Sequence, residues 1–180
     1  MHNFDYKKIV FFHLVFMLSF ANRASACEAI LCEFTQPFAS ESEANAHIAS
    51  QKPVTSGMIM ATIWFNNLPV LKILTKSYTH PLDSYPAGHL TTPLGDAIDH
   101  DAAHVIHYLI REKGVALERK HVDWAVKGSH RKSLEALLHY KVDIHGKNYQ
   151  DRTPLQEAQK RNFEFGIKLL QEYEAKSSSN

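Results

Sequence analysis

Thr153-Pro154-Leu155-Gln156-Glu157-Ala158 is a helix start written in six residues, and Thr92-Pro93-Leu94-Gly95-Asp96-Ala97 repeats its plan. The threonine hydroxyl accepts from amides of the first turn, and proline at the next position forfeits nothing because its amide would have no helical partner. The leucine is placed for burial, and the alanine lets a second helix approach closely. Ser56-Gly57-Met58-Ile59-Met60-Ala61 echoes the block imperfectly, and Val122 with Ala125 fills its leucine and alanine slots a fourth time. The chain therefore reads as an array of helix pairs, none able to bury its apolar stripe alone.

Working outward from the blocks, each is followed by a turn and a second apolar helix. Asn66-Asn67 turns into Leu68, Val70, Leu71 and Leu74. Asp99-His100-Asp101 turns into Val105, Ile106, Leu109 and Ile110, which share one face before Gly114 ends the helix. Gly128-Ser129-His130 leads to Leu134, Leu137 and Leu138, and the last block leads to Ile167, Leu169 and Leu170. Between the first two units, residues 78–89 form a turn-rich excursion. Counting from Ala61, Ala97, Ala125 and Ala158 gives spacings of 36, 28 and 33 residues. The short middle spacing has to come out of Val115 to Arg119, which predicts a truncated turn between the second and third units. Upstream, Ser40-Glu41-Ser42-Glu43 opens a short helix through about Ser50, an N-terminal cap for the array.

Thr-Pro-Leu-x-x-Ala is the signature block of ankyrin repeats, and over residues 56–176 the chain resembles that family. The resemblance implies an all-α solenoid of about four helix-turn-helix repeats with an N-terminal helical cap. It also implies a monomer that binds another protein through a concave face and turn tips. In such a register the residues two and three past each signature alanine line the concave side: Trp64, Asp99, His100, Lys127, Lys160 and Arg161. The tips add Tyr85, His89, Tyr149 and Arg152, and aromatic and arginine residues are the usual carriers of binding energy. Trp124, one residue before Ala125, reads as core filling, and Leu155 reads as buried like Leu94. The family's histidine after the leucine is replaced here by Gly95 and Gln156.

With 44% hydrophobic and 22% charged residues the composition is ordinarily globular, so a packed core is expected. Residues 1–26 read as an export signal: Lys7-Lys8, an apolar run from Ile9 to Phe20, and a small-residue cleavage site at Ala24-Ser25-Ala26. That run is shorter than the roughly 20 residues that span a bilayer as a helix, so no transmembrane segment is expected in the mature chain. Of the 20 basic and 19 acidic residues, three and one fall in this segment, leaving a mature net charge of −1. Such a balance gives no drive toward nucleic acid. Cys27 and Cys32, the only cysteines, follow the cleavage point. They are read as a small disulfide loop, with lipid attachment at Cys27 as the alternative. The domains expected are thus a signal at 1–26, an N-terminal segment and capping helix at 27–55, repeats at 56–176 and a disordered tail at 177–180.

His100, His104 and His107 stand at i, i+4 and i+7, a spacing that suggests a metal, but His100 falls in a turn and the other two face solvent in the family register. No cofactor or metal is expected. The chain lacks a nucleophile elbow, phosphate-binding loop, zinc-protease helix or dinucleotide fingerprint, and is read as non-catalytic. The reading is an exported protein, periplasmic, lipid-anchored or secreted, that binds a protein partner. An immunity-type role against a toxin in the periplasm, a secreted effector and histidine-based metal binding are its alternatives.

Overall fold

The computed structural model describes residues 40–85 and 91–177. All of them lie within one compact unit, Pro37–Asn180. The regular structure of the described residues is entirely helical. In chain order the helices are α1 (Glu41–Ala49), α2 (Ser56–Trp64), α3 (Leu68–Leu74), α4 (Pro93–Asp99), α5 (Ala103–Arg111), α6 (Arg119–Gly128), α7 (Arg131–Leu138), α8 (Pro154–Lys160) and α9 (Glu164–Ser177). The export-signal residues 1–26, both cysteines and positions 178–180 lie outside the described residues. Ser177, expected in a disordered tail, closes α9.

Each start follows from local chemistry. Thr92 and Thr153 accept from the amides of Gly95 and Gln156, with proline at the first helical position. Gln156 also reaches back to the Thr153 amide and completes a reciprocal cap. Ser40 caps α1 by accepting from Glu43. At α2 the cap is Thr55, accepting from Met58, and not Ser56.

The helices pair as α2 with α3, α4 with α5, α6 with α7 and α8 with α9. The first members also pack in sequence, α2 on α4 on α6 on α8, while α5, α7 and α9 form a second row. The α1 helix packs on α3. From α3 to α5 the link includes a Lys72–Glu112 ion pair and a buried hydrogen bond between Thr75 and Tyr108. Between the rows lies one apolar core in which Ile59, Ile63, Leu71, Leu94, Ile98, Ile106, Leu109, Leu134, Leu137 and Leu170 are fully buried. Leu155, expected to be buried, is only half-buried. Its helix α8 has α6 on one side and no described helix on the other.

Every pair turns on a left-handed residue: Asn66, Asp101, Ser129 and Asn162, with φ of 50°, 51°, 58° and 54°. The residue after each sends its amide back five positions, to the carbonyls of Thr62, Ala97, Ala125 and Ala158. These bonds fix a common register and correct the first unit. The close-packing slot there belongs to Thr62, not Ala61, and the leucine slot to Ile59, not Met58. Thr62 is tolerated because its hydroxyl donates to Ile59 O at 2.7 Å, leaving no orphaned polar group in the core. The connection between α5 and α6 is only 112–118, against 139–153 between α7 and α8, as the short middle spacing predicts.

Candidate functional site

In the corrected register the positions two past the slot are Trp64, Asp99, Lys127 and Lys160, and those three past are Phe65, His100, Gly128 and Arg161. All eight lie at the C-terminal ends of α2, α4, α6 and α8, and all but the half-buried Lys127 are exposed. The large hydrophobic side chains left exposed among the described residues are Trp64 at 44%, Phe65 at 65% and Tyr149 at 84%. Two of the three therefore sit on this one edge of the first row. Phe65 escaped the count because the first unit was anchored one residue early; anchoring on Asn66 as the left-handed turn residue recovers it.

Trp64 does not stand alone. Its indole stacks on His100 with ring centroids 5.6 Å apart and planes 13° from parallel, and the His100 Nδ1 lies 3.0 Å from Asp96 O. The α2 and α4 ends are thereby joined into one aromatic platform. Asp96 is buried beneath it, and burial raises its carboxyl, opposed by hydrogen bonds from Tyr85, Thr91 and Trp64 and by the nearby His100.

Tyr85 corrects an expectation. It was placed at a tip as a binding residue, but it is only 8% exposed and its hydroxyl donates to the Asp96 carboxylate at 2.8 Å. Burial, with the Asp96 charge second, raises its phenol well above the usual range. Tyr85 anchors its loop and offers a partner no face. His89, the other residue expected on this tip, lies outside the described residues.

The second tip does project. Asn148 Oδ1 accepts from the amides of Gln150 and Arg152, its own amide donates to Arg152 O, and Asp151 takes a left-handed turn. Tyr149 stands at the apex of this turn, and the Lys127 ammonium sits 4.7 Å above its ring. Arg152 turns inward. Glu157, almost fully buried, accepts from Arg152 Nε at 2.6 Å and Arg161 Nε at 2.7 Å, and Arg161 also donates to Lys127 O at 2.9 Å. Both arginines are tied down by one carboxylate, which they hold at a pKa of about 2. Lys160 is exposed.

Trp124 also corrects an expectation: it is half-buried and does not fill the core. It occupies the slot that holds a buried carboxylate in the neighbouring helices, Asp96 in α4 and Glu157 in α8. Each of those acids anchors a residue of the loop before its helix, Tyr85 or Arg152. The 112–118 connection is too short to carry such a tip, and at this slot an indole lies over Gly95 instead. A β-carbon on Gly95 would come within 2.9 Å of Trp124 Cζ3. Thr91, Gly95, Asp99, Trp124, Lys127 and Gly128 line a groove of about 400 Å³ here. By the repeat's own geometry, a tip before α6 would stand over Asp99 as Tyr149 stands over Lys127, so the groove marks the missing tip.

The histidine triplet does not assemble. His100 caps the end of α4 and stacks on Trp64, whereas His104 and His107 lie on α5. His107 Nδ1 is 2.6 Å from Tyr140 Oη, and burial together with the neighbouring His139, His104 and Arg111 lowers its pKa. Among the described residues no three His, Cys, Asp or Glu side chains are grouped to hold a metal ion. No helix among them is long and apolar enough to cross a membrane. No protein-family model matches the chain, and a comparison with curated proteins returns no match.

Proposed function

We propose that this is an exported ankyrin-type repeat protein without catalytic activity, which binds another protein across the edge formed by the ends of α2, α4, α6 and α8. One observation carries the reading: Trp64 and Phe65 stay exposed on this edge, and further along it Trp124 lines a groove that the short 112–118 connection leaves uncovered. Aromatic side chains beside a desolvatable groove and a rim of mixed charge are the usual anatomy of an energetic hot spot. The repeat of a helix, a left-handed turn and a second helix, four times over and twice opened by Thr-Pro, supports the family reading. In that reading the edge is the concave side, Tyr149 is a turn tip, and residues 1–26 are the removable export signal.

The experiment is site-specific photocrosslinking in the native envelope. A benzophenone side chain placed at Phe65 or Tyr149 should give a discrete protein adduct, and one at Glu135 or Lys168, on the second row, should not. Adducts from the second row alone would place the binding face elsewhere. Intact mass of the same material reads export, and retention of Met1 would overturn it.

A further inference from the structure

The four positions two past the close-packing slot form a ladder across the first row: Trp64, Asp99, Lys127 and Lys160. Its character changes from ring to acid to base to base. Successive helices of the row pack against one another, so each step is about 8–10 Å. A chain extended as polyproline II advances about 3.1 Å per residue and brings every third side chain back to the same face, so three residues match one step. The flanking positions reinforce the order, with Phe65 and His100 at the aromatic end and Arg161 at the basic end. Asp99 has no ion-pair partner among the described residues, and the Lys127 ammonium rests on a neutral ring. Both charges are therefore available to a ligand at the two sides of the groove floored by Gly95 and Trp124.

Resting on the proposed binding face, we infer that its occupant is an extended segment of a protein partner with a polarised charge pattern. Its apolar side chain lies on Trp64 and Phe65, its cationic side chain meets Asp99, and its acidic side chains follow at Lys127 and Lys160, each step three residues along. A small apolar side chain between the two charges enters the groove against Trp124. Charge complementarity selects this occupant over a polyanion, which would set a negative group against Asp99 and leave the aromatic end without a counterpart.

The test pans a phage-displayed library of random dodecapeptides on the purified full chain. Enriched peptides are then synthesised and their affinities measured by fluorescence anisotropy. Enriched sequences should carry Arg or Lys three residues from Asp or Glu, on the side nearer an apolar residue. Asp99→Lys and Lys127→Glu should each weaken these peptides by about tenfold or more. The double exchange should favour a peptide whose two charges are exchanged. Enriched peptides without the pattern, binding indifferent to both reversals, or no enrichment over a blank surface each overturn the inference. Trp64→Ala and Phe65→Ala separate the two levels. If they weaken a peptide lacking the charge pattern, the face stands and only the partner class falls. If they leave every selected peptide unaffected, the face itself is wrong.

Discussion

Glu157 shows how a single carboxylate organises its surroundings. Buried in α8, it would be costly to ionise without the two guanidinium groups that reach it, and with them its pKa falls to about 2. The sign of its contribution follows: stability from this group is complete above the unfolded pKa, near 4.3, and is lost as pH falls toward 2. Asp96 and Asp123 act in the opposite sense, because burial raises both, and their contribution is lost as pH rises through the raised folded values. Glu157→Gln should therefore lower the urea midpoint at pH 7, with the gap to wild type closing between about pH 4.5 and 2, where protonated glutamate and glutamine are nearly isosteric. A gap independent of pH would show that Arg152 and Arg161 are not what depress this carboxyl.

At the scale of the helix, the same sequence block has different energetic weight in the middle of the row and at its end. Leu94 in α4 is packed between α2 and α6 and is fully buried, whereas Leu155 in α8 remains half-buried. Leu94→Ala should cost about 2–5 kcal/mol as a cavity-forming change. Leu155→Ala should cost roughly 1 kcal/mol, since only part of its surface leaves water. Equal urea midpoints for the two variants would mean that α8 is covered after all. The sequence alone carried the starts of α4 and α8, because a threonine cap and a following proline act within one turn. It also carried the short connection, through the spacing of Ala97 and Ala125. It did not carry the first unit's register, since Thr62 fills a slot in which alanine was sought, and Phe65 was lost with it. Tyr85 was misplaced because its burial depends on Asp96, eleven residues further on and in another element. Trp124 was misplaced because its exposure depends on a tip that the chain lacks.

For the compact unit as a whole, the 112–118 connection also bears on how the chain finds its fold. It joins two helix pairs, α4–α5 and α6–α7, with the shortest closure of the three connections between pairs. Contacts within this central block, such as Ser133 Oγ to Ile98 O and the Ser133 amide to Asp101, join residues 35 and 32 apart, and most of that separation is helix because only 112–118 links the two pairs. A short flexible connection between two helix pairs closes at lower entropic cost than a long one. The central four helices should therefore form the folding nucleus, with α2–α3 and α8–α9 adding afterwards across 75–92 and 139–153. Doubling the connection with a Gly-Ser insertion after Lys113 should slow refolding by about threefold, the rate equivalent of roughly 0.6 kcal/mol of closure entropy. The unfolding rate should hardly change, because the insertion acts before the barrier. Stopped-flow chevrons compare the two limbs, and an effect confined to unfolding would place the nucleus in another pair. The loop whose brevity uncovers a groove in the finished protein is then also the one that times its assembly.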